Sequence, residues 1–111
     1  MDLTCQPYEQ GGVGVLAVNG EIDLATAPRL REHLVRLVTE HAGHPVVVDL
    51  TGVTFCDSIG LGILVGAQRR ARALEGEVRL VVPDGRVADG FTLVGLDAVL
   101  PRFADVDAAT Q

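Results

Sequence analysis

The sequence predicts an α/β fold in which a mixed β-sheet opens with a β-hairpin and helices pack against the sheet. A turn composition at residues 10–12 separates two apolar, strand-like segments near the N-terminus. Residues 46–50 and 78–82 are rich in valine and mostly apolar, which is typical of strands buried in the sheet. Helical patterns separate these strands, so they are expected to pair in parallel through right-handed crossovers.

Residues 3–8 and 13–18 are predicted to form the hairpin, with Asn19-Gly20 ending its second strand. The first helix follows; Thr26 or Asp23 is a candidate cap, and Pro28 falls in the first turn, where its missing N–H does no harm. Residues 40–43 end this helix. Its buried face is predicted from helical spacing: Leu30, Leu34, Leu37 and Val38.

The segment 46–62 carries the main functional prediction. A central strand over 46–50 passes through a short turn into Asp57-Ser58, and a second helix runs from Ile59 to about Leu74. Ser58 is expected to be the N-cap of this helix. Three glycines at 60, 62 and 66 each cost about 1 kcal/mol in a helix interior, and no charged side chain lies between 59 and 67. This helix start is therefore either buried all round or offered to another protein.

The C-terminal part continues the alternation of strands and helices. Gly76 ends the second helix, residues 78–82 form a strand, and residues 83–85 form a turn. Val87, Phe91 and Val94, with Leu93 beside them, predict a third helix, and Gly95 fits the left-handed position after it, with Leu96 packing back. A short edge strand over 98–100 and a last helical turn over 105–110 complete the order β-β-α-β-α-β-α with a small tail.

Composition limits the function. The 111 residues suit one domain spanning 1–111, and a net charge of −6 argues against nucleic acid or anionic membrane as partners. The N-terminus lacks a signal sequence, so an intracellular, cytoplasmic protein is expected. Cys5 and Cys56 lie in apolar surroundings and are interpreted as small core residues, with a redox role for Cys56 as the minor alternative.

Motifs for catalysis, metals and nucleotides fit poorly. Ser58 lacks the glycine two residues before it that a hydrolase nucleophile elbow requires, and no pattern brings His33, His41 or His44 to it. No metal-ligand spacing is present, so no metal or cofactor is predicted. The glycines of the second helix do not match a dinucleotide fingerprint. An esterase-like enzyme using Ser58 remains a remote alternative.

The chain resembles the STAS-domain anti-sigma factor antagonists, also called anti-anti-sigma factors, over nearly its whole length. The resemblance is carried by residues 20–28 (GEIDLATAP), by residues 48–62 (VDLTGVTFCDSIGLG), which are the specific block, and by residues 95–97 (GLD). It implies the STAS fold, which agrees with the predicted order of elements. One departure is Ile59, where the family commonly has a second small hydroxyl residue.

The resemblance also implies a role without enzymatic activity of the chain's own. Ser58 matches the serine that an anti-sigma factor kinase phosphorylates with its own ATP; the unmodified form would bind this kinase and free a sigma factor, and a phosphatase would restore that form. The implied partner-binding residues are Asp23, Asp57, Ser58, Ile59, Gly60, Leu61 and Gly62. The alternative is a STAS interaction module that is phosphorylated in another signalling complex, without direct sigma-factor output.

Overall fold

The computed structural model describes residues 2–111, which form a five-stranded sheet and four α-helices. The strands are β1 Leu3–Gln10, β2 Val13–Ile22, β3 Pro45–Cys56, β4 Glu77–Val81 and β5 Arg102–Phe103. The helices are α1 Ala27–Glu40, α2 Ser58–Ala73, α3 Arg86–Leu93 and α4 Val106–Ala109, and a 3-10 turn covers Leu96–Ala98. Among the described residues, no helix is long and apolar enough to cross a membrane.

The sheet has the strand order β1-β2-β3-β4-β5. β1 and β2 form the antiparallel hairpin, and its turn contains Gly11 and Gly12, both with positive φ. The other three strand pairs, β2–β3, β3–β4 and β4–β5, are parallel. The helices that connect these strands therefore cross over the faces of the sheet. The predicted mixed sheet that opens with a hairpin is confirmed.

Helices cover both faces of the central strand. α1 and α2 pack on one face, and the predicted α1 stripe is buried there against residues of the sheet: Leu30, Leu34, Leu37 and Val38. On the other face a smaller cluster joins one valine from each of β2, β3 and β4 to Ala109 of α4. β3 is therefore shielded on both sides, as its apolar sequence predicts.

Two strands extend beyond their predicted ends. Asn19-Gly20 does not end β2, and no turn follows residue 50; β2 and β3 continue side by side to Ile22 and Cys56. Two register shifts interrupt this pairing. Gly20 has φ 110°, a conformation typical of a glycine at a bulge, and bare Gly52 leaves room for the Asn19 side chain. Gly20, which favours a strand end by sequence, and Gly52 instead permit an irregular continuation of the two strands.

The predicted edge strand over 98–100 is wrong. Gly95 has φ 77°, as predicted, and Leu96 packs back into the core, but the chain then forms a 3-10 turn. The Ala98 N–H donates to Gly95 O and the Val99 N–H to Leu96 O, so neither can join a strand ladder. The edge strand begins only after Pro101, at Arg102–Phe103 beside β4.

Candidate functional site

The candidate site lies at one edge of the sheet, where β2 and β3 end next to each other. These strands are parallel, and their last residues, Ile22 and Cys56, are paired. The Asp57 N–H donates to Ile22 O at 3.1 Å, which joins the loop after β2 to the start of α2. Asp23 and Ser58, far apart in sequence, therefore belong to adjacent segments at this edge.

Asp57, and not Ser58, is the N-cap of α2. Its Oδ1 accepts hydrogen bonds from the Ile59 N–H at 3.0 Å and from the Gly60 N–H at 3.1 Å. Asp57 has extended backbone, while Ser58 is the first helical residue. A carboxylate at this position also interacts favourably with the positive end of the helix dipole. The predicted cap is thus displaced by one residue.

This displacement leaves the Ser58 hydroxyl available. The residue is exposed, and the side-chain hydrogen bonds at the start of α2 among residues 2–111 are those of its neighbour Asp57. An oxygen deep in the interior would have excluded any modifying enzyme. Ser58 is instead open to solvent at the start of α2, and it is the only serine in the sequence.

Asp23 holds the loop between β2 and α1 in shape. Its Oδ1 accepts from the Ala25 N–H at 2.9 Å and the Thr26 N–H at 3.0 Å. Thr26 occupies the N-cap position of α1 but makes no side-chain cap; its buried hydroxyl donates to Glu21 O at 2.8 Å. The loop is therefore fixed by internal hydrogen bonds, and Leu24 at its tip is 72% exposed.

The glycines of α2 have different surroundings. Gly60 is buried, and a Cβ there would lie 2.5 Å from Ile22 Cγ2 and 2.7 Å from Cys56 Sγ. Gly62 is exposed with no atom within 4 Å of such a Cβ, and it lines a groove beside Arg31 of α1. Close packing of α2 on the ends of β2 and β3 explains why position 60 holds a glycine. Packing within the described residues does not require a glycine at position 62.

This difference gives a matched pair of substitutions. Gly62→Ala is expected to raise the free energy of unfolding by up to about 1 kcal/mol, because alanine favours the helix and has room. Gly60→Ala is expected to lower it by about 1–3 kcal/mol, because the added methyl displaces Ile22 or Cys56. Urea denaturation of both variants measures the difference. Stabilisation by Gly60→Ala equal to that by Gly62→Ala would contradict the packing assigned to Gly60.

A cleft of about 340 Å³ separates the start of α2 from α3, and Ser58 lies on its wall. Leu61 contributes to the lining, and Phe55 is 49% exposed on the β3 side. Leu93 and Val94 also line it; they do not pack in the core as the sequence suggests but are 86% and 60% exposed. Exposed Ile59 follows Ser58 directly, and exposed Leu24 lies in the adjoining loop after β2, so this end of the sheet presents several apolar side chains to solvent.

The structure brings most of the predicted partner-binding residues to this edge. Asp57, Ser58 and Leu61 line the cleft, Ile59 is exposed beside them, and Asp23 lies in the adjoining loop. Gly60 is buried beneath them, and Gly62 faces the groove toward α1. Sequence reasoning missed Phe55, Leu93, Val94 and Arg86 as lining residues of the cleft.

The surroundings do not supply a base for Ser58. His33 and His41 line a separate cleft against β1, and His44 precedes β3 at the opposite edge of the sheet. Burial, followed by the nearby Asp57 carboxylate, raises the pKa of the Cys56 thiol to about 12, so this thiol stays protonated. It packs against the core, in agreement with its interpretation as a small apolar residue. Within residues 2–111, no cluster of His, Cys, Asp and Glu is suited to hold a metal ion.

The fold and the site define a class of small mixed α/β domain in which an exposed serine begins the second helix beside an apolar cleft. Residues 5–109 match the STAS domain family, and the chain belongs to this family. The resemblance inferred from the three sequence blocks is thereby confirmed.

Similar proteins are named as anti-sigma factor antagonists. The chain is 37% identical over 115 residues to the anti-sigma-F factor antagonist RsfB of Mycobacterium tuberculosis, covering 97% of this chain and 88% of the relative. It is 39% identical over 83 residues to an anti-sigma-B factor antagonist of Listeria monocytogenes, covering 75% of this chain and 72% of the relative. A crystal structure of an anti-sigma factor antagonist from Mycobacterium paratuberculosis superposes with a TM-score of 0.88 at 30% identity, covering 98% and 92% of the two chains.

Proposed function

We propose that the chain is an anti-sigma factor antagonist controlled by phosphorylation of Ser58. The unphosphorylated form binds an anti-sigma factor kinase, which then releases its sigma factor; phosphorylation by that kinase ends the binding, and a phosphatase restores it. One observation carries the proposal: the single serine of the chain is exposed, at a helix start, among apolar side chains. The names of the curated relatives support the same role.

The unmodified surface is suited to bind a protein. Leu24, Ile59 and Phe55 are exposed around the serine, and the cleft between α2 and α3 adds Leu93 and Val94. Burying exposed apolar area contributes about 25 cal/mol per Å² to association before its entropic cost. The nearby carboxylates of Asp23 and Asp57 already accept backbone hydrogen bonds, so they are not left unpaired when water is removed. We infer that this surface is the docking face.

Phosphorylation would prevent docking on this surface by adding charge. A phosphoserine carries about −1.5 to −2 charges at neutral pH, and here it would adjoin the Asp57 carboxylate. Asp57 already occupies the amides of Ile59 and Gly60, so the helix start has few donors left for a phosphate. Removing two adjacent anions from water inside an apolar contact is costly, and about 1.4 kcal/mol changes affinity tenfold. The domain does not need to refold for the switch to act.

The chemistry of the switch is supplied by the partner. The Ser58 Oγ forms a bond to the γ-phosphorus of ATP held by the kinase, the bridging P–O bond breaks, ADP leaves, and the hydroxyl proton passes to a base of the kinase. This chain contributes the acceptor hydroxyl and the surface that positions it. It is proposed to act by binding and not as an enzyme.

Incubation with ATP and the anti-sigma factor from the native host tests the proposal. Intact-mass analysis is expected to show a gain of about 80 daltons, one phosphate, on the wild-type chain and none on Ser58→Ala. Thr54→Val is the matched control, because Thr54 is another hydroxyl on the same cleft and its loss should leave the gain unchanged. No gain on the wild type, or a gain on Ser58→Ala, would refute the assignment. Copurification of a partner unrelated to sigma factors would indicate a module of another signalling complex.

A further inference from the structure

Arg86 has a position that its own helix does not explain. It is the first residue of α3, where the positive end of the helix dipole disfavours a cation. Its side chain is exposed, and none of the ion pairs between described residues involves it. Arg29, Arg79 and Arg102 each contact a carboxylate, whereas Arg86, like the other exposed arginines of α1 and α2, does not. The guanidinium of Arg86 is therefore available for an anion from elsewhere.

Arg86 lines the same cleft as Ser58. The cleft runs between the start of α2 and α3, and Arg86 is the one basic residue on its walls within residues 2–111. The only acidic lining residue is Asp57, whose Oδ1 is used by the helix cap. An anion attached to Ser58 would thus share a small cleft with one cation.

A phosphate on Ser58 needs such a cation. The Ile59 and Gly60 amides of α2 are already bonded to Asp57, and the Asp57 charge itself repels the phosphate. The planar guanidinium of arginine offers paired N–H groups that match two phosphate oxygens. Among the side chains that line this cleft, Arg86 is the one with this chemistry.

We propose that Arg86 binds the phosphate of phosphorylated Ser58 within the same chain, bridging α2 and α3. The inference rests on the proposed modification of Ser58 and adds a second element to the switch. The ion pair would span the cleft, so the modified chain would close over the apolar lining around Leu61 and Leu93 as well as repel a partner. Phosphorylation would then both add charge and occupy part of the docking face.

The second pKa of the phosphate reports this contact. Asp57 lines the cleft, and further carboxylates lie in neighbouring segments: Asp23 in the loop before α1, Asp84 before α3, and Asp89 within α3. Arg102 of β5 pairs with Asp84 at 3.5 Å and offsets the charge of that carboxylate. The carboxylates raise the phosphate pKa by repulsion, whereas the Arg86 cation favours the dianion and lowers it. Loss of Arg86 must therefore raise this pKa.

The experiment uses the full chain with phosphoserine incorporated at position 58 during translation, so no kinase is required. Titration by phosphorus NMR compares the wild type with Arg86→Gln, Arg86→Lys and the control Arg69→Gln, which removes an exposed arginine near the other end of α2. The phosphate pKa is expected to rise by about 0.5 or more in Arg86→Gln. It should stay near the wild-type value in Arg86→Lys, which keeps the charge, and in Arg69→Gln.

An unchanged phosphate pKa in Arg86→Gln, or an equal rise in Arg69→Gln, would overturn the inference. Circular dichroism of the unphosphorylated variants verifies that each is folded. The phosphoserine is introduced without an anti-sigma factor, so the NMR titration tests the Arg86 contact alone. The proposed function is tested separately by the kinase reaction.

Discussion

Ser58→Asp is expected to weaken binding to the cognate anti-sigma factor kinase by about 100-fold or more, while Ser58→Ala binds at least as tightly as the wild type. The new carboxylate would adjoin Asp57 at the start of α2, inside the surface formed by Leu24, Ile59 and Phe55. Two like charges brought into a desolvated apolar contact are unfavourable by several kcal/mol unless a partner cation pairs with them. Alanine removes only a hydroxyl that has no role in the α2 cap.

Calorimetric titration with the purified kinase measures these affinities. Thr39→Asp is a suitable control, because it places the same charge on an exposed position of α1 away from the cleft. It is expected to change affinity by less than about threefold, since exposed charges are screened by solvent and salt. Equal affinities for Ser58→Asp and Ser58→Ala would remove Ser58 from the mechanism.

The sequence predicts the elements of the fold better than their ends. Helical spacing identifies the buried stripe of α1, and Gly95 is placed correctly because only a left-handed residue suits the end of α3. The predicted ends of β2 and β3 are wrong, because Asn19-Gly20 and the residues after Leu50 favour a turn by sequence but continue as strand in the structure. A bulge and a turn both use glycine, and only the partner strand distinguishes them.

The sequence predicts where the candidate site lies but does not identify all the residues that form it. The strand-to-helix transition identifies Ser58, yet the choice between adjacent Asp57 and Ser58 as cap depends on backbone angles that both residue types tolerate. Phe55 and Arg86 join the site through tertiary folding, which brings β3 and α3 to one cleft. Leu93 offered a signal: Ala88 and Phe91 define the buried face of α3, and Leu93 falls off that face.

Gln68→Leu is expected to lower the stability of the fold by about 3 kcal/mol. Gln68 is 1% exposed in α2. Its Nε2 donates to Val78 O at 3.1 Å and to Val99 O at 3.0 Å, while its Oε1 accepts from the Val78 N–H at 2.7 Å. The side chain thereby joins α2 to the start of β4 and to the segment before β5.

Leucine would preserve most of the volume and remove all three hydrogen bonds. The Val78 N–H and the Val78 carbonyl would then lose this partner, and each buried unsatisfied group costs about 1–3 kcal/mol, partly offset by the apolar gain of leucine. Val99 O keeps its contact with the Arg72 guanidinium at 3.4 Å. Sequence reasoning gives no sign of this role, because a glutamine beside Ala67 and Arg69 is ordinary for an exposed helical position.

Thermal denaturation measures the effect, with an expected fall in Tm of about 10 °C for a domain of this size. Gln6→Leu is the control: Gln6 is exposed on β1, and its replacement should change stability by less than about 0.5 kcal/mol. A Gln68→Leu variant that melts within about 2 °C of the wild type would show that water replaces the lost hydrogen bonds. Since α2 begins at Ser58, directly after its cap Asp57, weakening its attachment to β4 should reduce partner binding in parallel with Tm, whereas Ser58→Asp should change binding alone.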